Sequence, residues 1–202
     1  MFLDVFTLNF GLSMIFAKKP ALPNRIAMTD AQRGIDPLKQ LAGLTAGDAL
    51  IFRHYELNKR NRLLLGQSLR KACSDAAVLF MVAEDQKLGL QLRADGVHLP
   101  SWALRQGCDW QKRAHPKWII SGAVHSTREL ILAERIGIDI AILSPVFPTK
   151  SHPAAKGLGA IRTAELRQQT SLPVYALGGM NETSARRLRG LGVKGYAFVS
   201  PD

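Results

Sequence analysis

The chain has 202 residues, 47% hydrophobic and 21% charged, which fits one globular domain with a sizeable core and excludes general disorder. Its formal net charge of +11 favours anionic partners: phosphorylated metabolites, nucleic acid or an acidic membrane surface. The basic residues run along helical segments (Lys59, Arg60, Arg62; Arg186, Arg187, Arg189) with no interleaved aromatics, a pattern of solvated helix faces that argues against nucleic acid as a partner.

The opening "MFLDVFTLNFGLSMIFAKKP" is apolar, but it carries Asp4, is interrupted by Gly11, and lacks a basic leading region and a small-residue cleavage site. Residues 1–24 are therefore expected to form an extra N-terminal helix or extension, without stable membrane insertion. Cys73 and Cys108 have no metal-ligand spacing, so a reducing, cytoplasmic setting is expected.

From residue 25 onward, short apolar runs alternate with segments of helical period. In chain order the predicted strands are "RIAMT", "ALIFRHY", "AVLFMVA", "GVHL", "KWIISGAV", "IAILSPVF", "PVYALGG" and "GYAFVS". Between them lie "DPLKQLAGLTA", "NRLLLGQSLRKAC", "DQKLGLQLR", "SWALRQG", "STRELILAERIG", "GAIRTAELRQQT" and "TSARRLRGLG", most with apolar residues at three- and four-residue steps. Strands without polar alternation are buried on both faces, as in a parallel sheet covered by helices. Eight such units predict an α/β fold, a (β/α)8 barrel over residues 25–202 lacking its last helix, with the N-terminal helix expected over the exposed edge. A doubly wound open sheet is disfavoured, because "TDAQRG" after the first strand offers one glycine where a dinucleotide fingerprint needs three.

In such barrels the site lies at the C-terminal strand ends, with phosphate on the loops after strands seven and eight. Gly178 and Gly179 end strand seven and Val199 and Ser200 end strand eight, so these four residues are the predicted phosphate cup. A plain turn is the competing use of a double glycine.

"ADGVHLP", "SGAVHSTREL", "ILSPVFPTKSHP", "PVYALGGMN" and "GYAFVS" resemble, in order and spacing, the thiamine phosphate synthase and thiazole tautomerase (TenI-like) family over about residues 26–200. The resemblance implies a barrel handling thiazole phosphate, a small phosphorylated ligand, with a homo-oligomer possible. A synthase would join that thiazole to a pyrimidine pyrophosphate with Mg2+. A tautomerase would isomerise a thiazole carboxylate phosphate with no cofactor. A non-catalytic phosphate-binding barrel is the reading from another class.

The synthase pattern Gln-x-Arg-x-Lys is present here only as Arg53, with Tyr55 at the lysine position. Asp85 keeps one acid of the metal set, whereas Pro100 and Ser101 stand where the family has a Gly-Gln followed by another acid. The loop after strand six retains Thr149 and Ser151, with Lys150 and His152 beside them. His125 falls where the tautomerase places its acid/base histidine, and an imidazole titrates near neutrality, as proton transfer at a ring carbon requires. The tautomerase is thus the expected activity. Against these roles stand structural ones: His98 as a packed inward residue, His125 as a helix cap with Ser126, Asp95 and Asp139 as loop-shaping residues, and Trp102, Trp110 and Trp118 as cover for the barrel's outside.

Overall fold

The structure, a computed structural model, describes residues 19–106, 115–149 and 157–200. Eight strands run β1 (Arg25–Met28), β2 (Ala49–Phe52), β3 (Leu79–Ala83), β4 (Gly96–Leu99), β5 (Ile119–Val124), β6 (Ile140–Leu143), β7 (Val174–Ala176) and β8 (Gly195–Phe198). Each pairs in parallel with the next, and β1 pairs with β8, placing Ala27 opposite Phe198 and closing the barrel. The α-helices are α1 (Pro37–Ala42), α2 (Lys59–Asp75), α3 (Gln86–Gln91), α4 (Ser101–Arg105), α5 (Thr127–Ile136), α6 (Gly159–Gln168) and α7 (Glu182–Arg186), with a 3-10 turn at Ala31–Arg33. The predicted (β/α)8 architecture is what forms, and among the described residues no helix follows β8.

Alternation along each strand sorts the side chains into two layers. Ile26, Ile51, Met81, Ile119, Ile142, Tyr175 and Ala197 fill the interior. The intervening residues pack outward against helices, as Leu50, Phe52 and Phe80 do against Leu69 and Leu88. Trp118 packs in the outer layer on the β4–β5 side, as expected for a covering tryptophan, whereas Trp102 is exposed and Trp110 lies outside the described residues.

Several strands are shorter than predicted. "ALIFRHY" leaves the ladder after Phe52, because His54 adopts a left-handed backbone (φ 37°). "PVYALGG" leaves after Ala176, because Gly178 and Gly179 have φ of 99° and 59°. The residues released from the ladder form the C-terminal mouth.

At the N-terminal mouth one device recurs three times. Asp48, Asp95 and Asp139 each stand immediately before an even-numbered strand, and each carboxylate accepts the main-chain N–H at the start of the preceding strand: Arg25 (3.1 Å), Phe80 (2.9 Å) and Ile120 (2.9 Å). Each also holds a cation: Arg25 at 2.6 Å, Arg70 at 2.7 Å and Lys19 at 2.7 Å. A carboxylate bridging two strands satisfies a donor that the ladder leaves over. The expectation that Asp95 and Asp139 shape loops thus has a definite geometry. Below the interior layer, the buried Tyr175 hydroxyl donates to the Pro23 carbonyl, tying the segment before β1 to the barrel floor.

Candidate functional site

The C-terminal mouth is built from residues that continue the inward-facing rows of the strands. Arg53 follows β2 and is clamped from several sides. Its N–H donates to Thr29 Oγ1 (2.9 Å) and its Nε donates to the Thr29 carbonyl. Its buried Nη2 lies 3.1 Å from Asp30 Oδ2 as an ion pair without hydrogen-bond alignment. Thr29 Oγ1 also bonds His54 Nδ1 (2.9 Å), and the His54 ring stacks on Phe52. Burial pushes the His54 imidazole below its ordinary value. The left-handed backbone at His54, a conformation costly for a residue with a Cβ, is held by these contacts.

His98 projects inward from β4 and is bonded through Nδ1 to Ser121 Oγ at 2.9 Å. Burial, reinforced by the charge of Arg53, pushes it down to about 3. It is therefore a neutral packed and hydrogen-bonded residue, as its structural reading predicts.

Among the described histidines of the mouth, His125 is the exposed one. Its Nδ1 lies 2.8 Å from the Ser144 carbonyl oxygen; a carbonyl only accepts, so Nδ1 must be the donor, and Nε2 is the nitrogen left to exchange a proton. The alternative role as helix cap belongs to its neighbours. Ser126 Oγ accepts the Glu129 N–H (3.3 Å), while Glu129 Oε2 accepts the His125 N–H (2.7 Å), so the N-terminus of α5 is capped without the imidazole.

The sequence reading of Arg62 as part of a solvated helix face needs correcting. Although α2 is a surface helix, its first turn leans over β2 and β3, and Arg62 lies under that turn with its side chain 12% exposed. Its Nη2 donates to the Ala83 carbonyl (3.0 Å) and its guanidinium covers the rings of Phe52 and Tyr55. It also stands 3.6 Å from Asp85. Position 55 thus presents an aromatic face to a guanidinium delivered from α2. A helical period of charges gives no hint of this, because it depends on the tilt of α2 against the barrel.

The proposed cup is partly explained by packing. A Cβ at Gly179 would meet Pro148 O at 2.7 Å and Phe147 Cβ at 2.8 Å, and one at Gly178 would meet Pro145 Cα at 3.0 Å. Main-chain bonds from Val146 to Leu177 (2.8 Å) and from Phe147 to Gly178 (3.0 Å) hold the β6 and β7 loops together. Both glycines are therefore needed for this loop contact, whatever else they do. Asn181 caps α7 reciprocally with Ser184. Val199 turns its carbonyl to Gln40 Nε2 at 2.6 Å, and Ser200 is exposed with its Oγ 3.2 Å from Arg33 Nη1. Thr149 is half-buried, and Lys150, Ser151 and His152 lie outside the described residues.

Among the described residues the side chains alone do not assemble a metal centre, and Asp85 is the acid of the expected set that remains. Asp85 already accepts the Leu88 N–H (2.9 Å) as the cap of α3 and faces Arg62. The β4 loop supplies Pro100 and Ser101 and no carboxylate. Among the described residues no group of three acids, histidines or cysteines is placed to hold an ion.

The profile of the thiamine monophosphate synthases matches residues 27–201, almost the whole barrel. The chain belongs to this family. Its similarity to individual members is consistent with that. It is 32% identical to the thiamine-phosphate synthase of Coprothermobacter proteolyticus over 81% of this chain and 79% of the relative. It is 30% identical to that of Methanoculleus marisnigri over 81% and 77%. Among solved structures, the thiamine phosphate pyrophosphorylase from Pyrococcus furiosus superposes with a TM-score of 0.71 at 27% identity, covering 88% of this chain and 85% of that one. Membership in the thiamine monophosphate synthase family places the chain among enzymes of thiamine biosynthesis. Among the described residues no helix is long and apolar enough to cross a membrane.

Proposed function

We propose that this chain is a thiamine phosphate synthase, which joins a thiazole phosphate to a pyrimidine pyrophosphate. The reaction forms a bond from the thiazole ring nitrogen to the pyrimidine's methylene carbon and breaks the bond from that carbon to pyrophosphate. The observation that carries the reading is the pair of guanidiniums at the β2–β3 side of the mouth. Arg53 is fixed by the Thr29 carbonyl and Asp30, and Arg62 by the Ala83 carbonyl and the rings of Phe52 and Tyr55, so a pyrophosphate entering there would meet two fixed cations. Arginines held in place stabilise charge as it develops on a leaving group, and relatives at 30% and 32% identity bear the synthase name. The cup of Gly178, Gly179, Val199 and Ser200, with Thr149, Lys150 and Ser151 in the β6 loop, would take the thiazole phosphate. Asp85 and Mg2+ belong to this reading alone.

The geometry of His125 favours a second reading, the thiazole tautomerase. Its fixed Nδ1 leaves Nε2 as a proton carrier, and that reaction needs no metal. Pyrophosphate release from both synthase substrates with Mg2+, abolished by a chelator, is the expected result. Isomerisation of thiazole carboxylate phosphate without pyrophosphate release, insensitive to chelator and lowered about a hundredfold in His125→Asn with binding little changed, would replace the first reading by the second.

A further inference from the structure

We infer that Arg33 is a phosphate-binding residue, a guanidinium carried by the loop after β1 that closes the open side of the cup at Ser200 and takes a phosphate monoester. The inference rests on the proposed function for the identity of its natural ligand, a thiazole phosphate, but its chemistry requires only a phosphate group.

Three observations place the residue. First, Arg33 lies in the loop after β1. It ends the 3-10 turn Ala31–Arg33, which Asp30 caps through the Gln32 N–H (3.1 Å) and Gly34 terminates with a left-handed backbone (φ 63°). The loop is thus shaped at both ends to present this side chain.

Second, Nη1 reaches Ser200 Oγ at 3.2 Å, so the guanidinium crosses the closure between β1 and β8 and ends at the cup. Ser200 is exposed, and its hydroxyl is the group against which a phosphate oxygen would be exchanged. A guanidinium offers paired N–H donors that match two phosphate oxygens, which a serine hydroxyl uses only in part.

Third, Asp30 holds the cation in place and shares itself with a second one. Its Oδ2 is 3.6 Å from Arg33 Nε and 3.1 Å from Arg53 Nη2. One carboxylate between two guanidiniums keeps both near the mouth. Asp30 is therefore the positioning residue of the pair. It joins the side of the mouth where the thiazole phosphate would sit to the side where the pyrophosphate would sit.

The test uses the full-length chain and its Arg33→Met and Arg33→Lys variants, each checked for an unchanged unfolding midpoint. Calorimetric affinities are measured for thiazole phosphate, for the matching thiazole alcohol and for inorganic phosphate. Arg33→Met is expected to weaken thiazole phosphate binding by about tenfold to a hundredfold and leave the alcohol unaffected, with Arg33→Lys between the two. Unchanged affinity for the phosphate ester in Arg33→Met, or an equal loss for ester and alcohol, overturns the role of Arg33. Should the parent chain ignore thiazole phosphate yet bind inorganic phosphate in an Arg33-dependent way, the proposed function falls and the anion site stands. Should no phosphate probe distinguish parent from variant, Arg33 is not a phosphate ligand. Asp30→Asn is expected to weaken phosphate binding less than Arg33→Met does, because it loosens the guanidinium without removing it.

Discussion

The two mouths of the barrel use the same residue types to opposite ends. At the N-terminal mouth each carboxylate of the repeated device joins a cation to the main-chain donor of the neighbouring strand, so Asp48, Asp95 and Asp139 are consumed by structure. At the C-terminal mouth Asp30 is divided between Arg33 and Arg53, and Asp85 between a helix cap and Arg62. At the first mouth a carboxylate fastens two strands, whereas at the second Asp30 holds two guanidiniums at the rim, where an anion would meet them. Substitutions at the first mouth should therefore read out in stability and those at the second in activity.

The largest effect is expected from Asp48→Ala. The Asp48 side chain is 1% exposed and serves Arg25 and Thr45 together. Its removal strands buried donors and should cost about 3 kcal/mol or more in denaturant unfolding, while kcat/KM at a permissive temperature stays near that of the parent. A catalytic defect larger than the stability loss would break the contrast.

Arg53→Met is the counterpart at the other mouth. Loss of a fixed cation beside the departing pyrophosphate should lower the rate of synthesis by about a hundredfold, or about 2.7 kcal/mol. The unfolding midpoint should change little. A variant that unfolds early and turns over normally would reassign Arg53 to the scaffold.

Acid titration sharpens the comparison further. Burial would raise the Asp48 carboxyl, but the hydrogen bonds from Arg25 and Thr45 outweigh it and hold the group below its ordinary value. A depressed folded-state value adds stability that is complete above the unfolded value, about 3.9, and is lost as pH falls through the folded one. The stability gap between the parent and Asp48→Ala should accordingly be widest near neutrality and narrow below about pH 4. A gap independent of pH would mean that Asp48 acts by packing alone.

The smallest effect belongs to Arg162→Ala, which removes an exposed pair with Glu165 at 2.7 Å on α6. Its unfolding midpoint and activity should match those of the parent within error.

How much of this was legible in the sequence follows from how local each feature is. The eight strands and seven helices were readable because hydrophobic period and breakers are local signals, and the caps at Ser126 and Asn181 are likewise local. Arg62 was misread because its environment is set by the packing of α2 on the barrel. The double glycine is a local signal, but its packing role against Pro145, Phe147 and Pro148 depends on a loop some thirty residues earlier. The aspartate device was seen only as loop-shaping at two of its three positions, since each carboxylate reaches a strand 15 to 23 residues away. Nothing local singles out Arg33, because its partner Ser200 is 167 residues distant.

The device that recurs before β2, β4 and β6 is missing before β8, where Lys194 stands in place of an aspartate and the main chain alone, Lys194 N–H to Val174 O at 2.8 Å, joins the strands. Of the four joints that lead into an even-numbered strand, this is the one without an ionic clasp among the described residues, and it carries Gly178, Gly179 and Ser200 at its far end. Breathing of a closed ring concentrates where the fastening is lightest. Amide protons in β7 and β8 should accordingly exchange with solvent sooner than those in β1 to β6, and a bound phosphate ester, by bridging the two strand ends, would be the clasp that slows them.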